Sequence, residues 1–174
     1  VTVLLGEVTN VDLNKRKVFL EDKEFIYDYL IIATGTRHSY FGNERWEKYA
    51  PGLKTLDDAL KIRENILFSM EQAELIENPV EREKYLTFVV IGGGPTGVEM
   101  AGAIAEISKE TIIKDFRRIK PKDTKVILIE AADKILSSYS EYLSTSAQST
   151  LEKMGVDVKL NAKVIDIDKH GVYL

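Results

Sequence analysis

"FVVIGGGPTGVEM", Phe88 to Met100, is the stretch whose reading decides the fold. Its first four residues are apolar and mostly β-branched or aromatic, the composition of a strand. Three glycines follow, then Pro95, a residue favoured at the first position of a helix. The phrase therefore reads as strand, glycine turn, helix start. Gly92, Gly94 and Gly97 have the spacing G-x-G-x-x-G. The first glycine permits a tight turn, the second removes a side chain where backbone must approach a ligand, and the third lets helix pack against strand. The turn Gly92, Gly93, Gly94, Pro95, Thr96 and Gly97 presents backbone N–H groups, all but that of Pro95, which has none; together with the helix dipole they make a seat for an anion. The pyrophosphate of a dinucleotide is the anion this spacing suits.

The flanking sequence supports that order. "YLTFVVI" (85–91) reads as a buried strand, and the helix after Pro95 continues through Ala101, Ile104, Ala105, Ile112 and Phe116. "TKVILIE" (124–130) is the next buried strand. "SEYLSTSAQSTLEKM" (140–154) is helical through Leu143, Ala147 and Leu151, with Gly155 suited to the left-handed position after it. "VDVKL", "KVIDID" and "VYL" are short strands, the last two joined by a tight turn at Lys169–Gly171. An alternation of this kind is solved most economically by parallel strands with helical crossovers.

A carboxylate at the end of the second strand completes the fingerprint. Glu130 can accept both hydroxyls of the adenosine ribose and would repel a 2′-phosphate, which favours NAD over NADP; Ala131 follows it at the same strand end. Glu130 lies 38 positions beyond Gly92, against the usual ~20. The excess, "SKETIIKDFRRIKPKD", reads as a long extension of the crossover helix plus a loop, which leaves glycine turn and strand end adjacent.

Upstream, "VTVLLGEVTNVDL" (1–13), "KVFLED" (17–22) and "FIYDYLIIAT" (25–34) read as three strands of a small antiparallel unit. The nearly continuous "YLIIA" is expected to be buried on both faces. Residues 35–54 have no clean period and read as a linker. Residues 55–78 read as a helix, with Thr55 and Asp58 at capping-box spacing and an apolar face of Leu56, Ala59, Leu60, Ile62, Ile66, Leu67 and Met70; Asn78-Pro79 stops it.

Composition bounds the function. The chain has 174 residues, a formal net charge of −4 and no cysteine. Its Lys and Arg are dispersed, so a general nucleic-acid binder is not expected. Without cysteine there is no disulfide, thiolate metal site or redox cysteine pair in this segment. No apolar run reaches the length of a membrane span. Both ends fall inside apolar patterns, as expected of a fragment.

"YDYLIIATGTRHSYFG", "PGLKTLDDAL" and "FVVIGGGPTGVEMAGAIAEI", taken together, resemble the two-dinucleotide FAD/NAD-binding pyridine nucleotide-disulfide oxidoreductases. Within them, "ATGTRHSYFG", the glycine phrase and "DFRRI" are similar to the type II NADH dehydrogenases, the NADH:quinone oxidoreductases. The resemblance covers essentially the whole chain. It implies an α/β fold: a Rossmann-like NAD-binding domain over 51–174 with a parallel sheet and a β-hairpin insertion, preceded over 1–50 by a partial, antiparallel β unit of an FAD-binding domain. It further implies that the glycine turn, coming after "ATG", holds NADH rather than FAD, and that Ala33, Thr34 and Gly35 close against the flavin dinucleotide. Glu99, in "TGVE", would stand near nicotinamide and flavin as a catalytic or ring-positioning group. The cofactors implied are FAD and NAD, and the acceptor a quinone.

The same resemblance places the first FAD fingerprint, the completion of the FAD site and the membrane-binding helices outside these residues. The resemblance implies for the intact enzyme a peripheral protein on the cytoplasmic side of the inner membrane, with a homodimer as one arrangement open to it; the segment alone would be inactive. "IEAADKIL" departs from the pattern in lacking a glycine soon after the acidic strand end. Ferredoxin-type, sulfide:quinone and disulfide reductases of the family stay open as alternatives, as does an NAD-sensing module without turnover. His38 and His170 lack spaced ligand partners and read as polar loop residues. "RRIKPK" (117–122) reads as a solvated helix end, and Trp46 with Tyr40, Phe41 and Tyr49 as aromatics pinning the loop to a core.

Overall fold

The structure is a computed structural model describing residues 1–36 and 38–174, with the side chains of 111–114 outside the description. The backbone separates into two compact units, Val1–Arg37 and His38–Leu174.

The first unit is a three-stranded antiparallel sheet in the order β1 (Val8–Asp12), β2 (Lys17–Leu20), β3 (Lys23–Ile26). Its registers pair Val11 with Val18 and Val18 with Phe25. The strands are shorter than their sequence suggests. "YLIIA" forms no strand, and Tyr29, Ile31 and Ile32 are exposed. Val1 to Leu5 likewise stand outside any ladder. A strand needs a partner along its edge, and burial of both its faces needs other elements packed on the sheet; among the described residues no strand pairs with either stretch.

The second unit begins with a short 3-10 helix, Glu44–Lys48, inside the expected linker. Trp46 is buried there, and its indole N–H donates to Asp166 at 2.9 Å, while Arg45 pairs with the same carboxylate at 2.8 Å. These contacts tie residues 44–48 to the rest of the second unit. Of the aromatics expected to pin the loop to a core, Trp46 is buried, whereas Phe41 and Tyr49 are exposed.

Helix α1 (Leu56–Leu75) starts with the expected capping box: the Thr55 hydroxyl accepts from Asp58 N at 3.2 Å and the Asp58 carboxylate accepts from Thr55 N at 2.8 Å. That contact with the Thr55 amide, first among several, holds the Asp58 carboxyl below its ordinary value. Only the C-terminal half of its apolar face is buried, through Ile66, Met70 and Ala73; Leu56 and Leu60 are exposed. Asn78 and Pro79 do more than stop α1. Asn78 caps a short helix α2 (Pro79–Tyr85), a seven-residue element not expected from the sequence.

β4 (Thr87–Ile91), α3 (Pro95–Asp115), β5 (Lys125–Ile129), α4 (Glu141–Lys153) and β6 (Val156–Lys159) then form the alternating core. The three strands are parallel in sequential order, with Phe88 opposite Val126 and Val126 opposite Val156. Ala101, Ile104 and Ala105 of α3, Leu128 of β5 and Leu151 of α4 pack in one cluster with Met70 and Leu86. Ile112 lies outside the described side chains. β4 is the least covered of the three, with Val89 and Ile91 exposed, so the expected two-faced burial holds for β5 alone. β7 (Asp166–Asp168) and β8 (Gly171–Tyr173) close the chain as the expected hairpin.

The excess between Gly92 and Glu130 is taken up as expected, by the long α3, a loop and a 3-10 turn at Pro121–Asp123. The "RRIKPK" run is not simply solvated. The backbone N–H groups of Arg117, Arg118 and Ile119 donate to the Glu74 carboxylate at 2.9–3.1 Å, and Ile119 is fully buried. Desolvation pushes the Glu74 carboxyl up, but these amides outweigh it and hold it below the ordinary glutamate value.

Candidate dinucleotide site

The glycine turn stands at the carboxyl end of β4, where a parallel sheet offers its crevice. Gly92 is left-handed at φ 102°, and its N–H donates to Ile129 O at 2.8 Å, which ties the turn to the end of β5. Gly97 sits in the first turn of α3. A β-carbon there would run into the Gly92 carbonyl oxygen, far inside any real contact. Gly97 is therefore required by the fold itself, as the third glycine of the fingerprint should be.

Gly94 is the opposite case. It is exposed, and a β-carbon there would meet no protein atom within 4 Å. Nothing in the folded chain requires glycine at this position, so the space is free for a group from outside. Pro95 and Thr96 are also exposed. The N–H groups of Gly94, Thr96 and Gly97 have no acceptor among the described residues, whereas Val98 N already donates to Gly94 O at 3.0 Å. Open space, three free donors and the positive end of a 21-residue helix fit a pyrophosphate.

Glu130 is brought against this turn. Its Oε2 accepts from Gly93 N at 2.6 Å and its Oε1 from Ala132 N at 2.8 Å. A carboxylate has about four lone-pair sites, so two remain beyond these bonds. The segment after β5 is braced in turn: Asn161 N donates to Ala132 O and Ala162 N to Glu130 O, both at 2.9 Å. Ala131 is exposed beside the carboxylate. Lys134, the nearest cation in sequence, is paired with Glu141 at 3.1 Å.

Other contacts at the turn had no signal in the sequence. Leu136 N donates to Gly93 O at 2.7 Å, and Leu136 has φ 49°. Ile135 is fully buried, and its carbonyl accepts from the Ser144 hydroxyl at 2.7 Å. No residue type marks such a segment, because the bonds use backbone groups.

Glu99 lies one turn into α3, exposed and without an ion-pair partner among the described residues. It falls beyond the first helical turn, so attraction to the helix N-terminus does not account for it. Ala33, Thr34 and Gly35 belong to the first unit; all three are exposed, and Gly35 is left-handed at φ 73°. His38 faces Glu47 at 3.7 Å, and His170 lies in the β7–β8 turn. Among the described residues no group of side chains could hold a metal ion, and no helix is long and apolar enough to cross a membrane.

The chain is 47% identical to the type II NADH:quinone oxidoreductase NdhA of Mycobacterium tuberculosis, over 99% of its own length and 37% of that protein's. It is 33% identical to the external alternative NAD(P)H-ubiquinone oxidoreductase B3, mitochondrial, of Arabidopsis thaliana, covering 95% of the chain and 30% of the relative. It spans about a third of the length of the curated relatives it matches, 37% and 30% of these two. Among solved structures, NDH2 from Plasmodium falciparum in complex with NADH superposes with a TM-score of 0.80 at 30% identity, over 95% of this chain and 35% of that one. The family model for pyridine nucleotide-disulphide oxidoreductases matches residues 1–174, and the chain belongs to that family.

Proposed function

We propose that this chain is the NADH-binding part, with a portion of the flavin-binding part, of an FAD-dependent NADH dehydrogenase that delivers electrons to a quinone. The observation that carries the reading is the contrast between the two glycines. Gly97 is needed by the fold, whereas Gly94 is needed only if something else occupies the space beside it. The names of the relatives in Mycobacterium tuberculosis and Arabidopsis thaliana support NADH and a quinone as the reactants.

In this reading the free N–H groups of Gly94, Thr96 and Gly97 bind the pyrophosphate, while Gly92, Gly93 and Pro95 shape the turn. Glu130 accepts the adenosine ribose hydroxyls, with Ala131 flanking them. Glu99 faces the nicotinamide end of the site, where its carboxylate orients the ring and takes or returns a proton. Ala33, Thr34 and Gly35 close against FAD in the first unit. When bound, NADH supplies a hydride and FAD accepts it; the chain's own groups bind, align and exclude water. Quinone reduction and contact with a membrane surface belong to parts of the polypeptide outside these residues.

The test is a calorimetric titration with NADH and with NADPH of the longest natural polypeptide carrying this sequence. Saturable binding of NADH, tighter than NADPH and weakened by Glu130→Ala, is expected. Failure of NADH to bind the FAD-loaded protein would overturn the assignment. An NAD-sensing module would bind NADH but fail to bleach bound flavin on mixing.

A further inference from the structure

We infer that Ser144 is a positioning residue for the dinucleotide turn, acting through Ile135 and Leu136 to aim the Gly94 N–H. The inference rests on the reading of this turn as an NADH site and adds a device within it.

Both polar groups of Gly93 are claimed. Its N–H donates to Glu130 and its carbonyl accepts from Leu136 N at 2.7 Å. The second bond matters most for a ligand. The Gly93 carbonyl and the Gly94 N–H belong to one planar trans peptide and point in opposite directions. Holding the carbonyl on Leu136 therefore turns the Gly94 N–H the other way. Since Gly94 is exposed with open space around it, the donor is aimed before any ligand arrives. Donors aimed in advance bind more tightly, because less freedom is lost on binding.

Leu136 reaches Gly93 in an uncommon conformation. Its φ of 49° is left-handed, a region leucine disfavours and adopts only where its surroundings impose it. Two contacts do so. Tyr139 N donates to Leu136 O at 2.8 Å, and the preceding residue, Ile135, is buried with its carbonyl on Ser144 Oγ at 2.7 Å. Ser144 is itself 2% exposed. Its bond is not the routine one for a helical serine. Ser108, the other buried serine, donates to Ile104 O one turn back in its own helix, a local bond that holds nothing else. Ser144 instead reaches out of α4 to the segment that carries Leu136.

The experiment compares Ser144→Ala and Ser144→Cys with the wild type in the longest natural polypeptide carrying this sequence, loaded with FAD. The cysteine variant keeps size and a weak donor, and guards against the alanine variant failing to fold. Each is studied at a temperature where its folded fraction is complete. NADH affinity is expected to fall roughly five- to tenfold in Ser144→Ala, since a buried carbonyl loses its partner, and less in Ser144→Cys. KM for NADH should rise in step while kcat is retained. Exchange of the Leu136 amide should quicken while amides in the middle of β5 keep their protection. A lower melting temperature with unchanged NADH affinity and unchanged Leu136 exchange would reduce Ser144 to a structural residue and overturn the inference. If the wild type itself fails to bind NADH, the underlying reading falls and this one with it.

Discussion

The carbonyl oxygen of Gly92 occupies the place where residue 97 would carry a β-carbon, so the turn and the helix after it can approach only through glycine. Gly97→Ala must push α3 away from the end of β4. Overpacking of this kind costs about 1–3 kcal/mol, and the atom met is backbone, which yields little. We expect a lower denaturation midpoint together with loss of NADH binding, both read on one purified variant.

Gly94→Ala separates ligand binding from folding. Its β-carbon meets no protein atom within 4 Å, so the denaturation midpoint should stay at the wild-type value or rise slightly, as glycine replacement inside allowed backbone tends to do. NADH affinity should nevertheless fall by an order of magnitude or more, because the methyl group occupies the pyrophosphate's approach. Unchanged affinity, measured by calorimetry, would mean that the pyrophosphate does not pass this residue.

What could be read in the sequence was local. The Thr55–Asp58 capping box, Gly155 at φ 88° and the β7–β8 turn are each encoded within a few residues, and each is present. The glycine turn and Glu130 lie far apart along the chain but carry a recognisable fingerprint, so their meeting could be anticipated. Trp46 with Asp166 could not, nor Glu74 with the amides of 117–119, nor Ser144 with Ile135. In each of these the partner is backbone or a carboxylate of no special pattern, and its position depends on the whole fold. "YLIIA" fails for a different reason. Its apolar run states what the strand would bury, but burial requires a sheet to join and elements packed on its faces, and among the described residues no strand pairs with it.

Glu130→Gln tests the ribose contact. The variant keeps the shape and one acceptor oxygen but loses the charge, and it offers an N–H₂ where Gly93 N or Ala132 N now donates. NADH should bind roughly tenfold more weakly, because bonds to a carboxylate are about twice as strong as neutral ones. NADPH should lose less or gain, since the repulsion of its 2′-phosphate is removed. The ratio of the two dissociation constants is the measurement, and an unchanged ratio would remove Glu130 from cofactor selection.

Asp166 gives the second unit an acid-sensitive clasp. The Trp46 indole N–H and then the Ile167 amide hold its carboxyl below the ordinary aspartate value against desolvation, with the Arg45 guanidinium adding to them. A carboxyl with a depressed folded-state value contributes stability that is present above its unfolded value. That stability is lost as pH falls through the folded value. The 3-10 helix at Glu44–Lys48 should therefore loosen at low pH, below the range where free aspartate titrates. Trp46 is the only tryptophan, so its emission reports the event directly. We expect a red shift on acidification as the indole leaves its buried place. Asp166→Asn should show the shifted emission already at neutral pH, or lose the acid transition. An acid transition in Asp166→Asn identical to that of the wild type would assign the loosening to another carboxyl, with Glu74 the next to replace, because its value is depressed in the same direction.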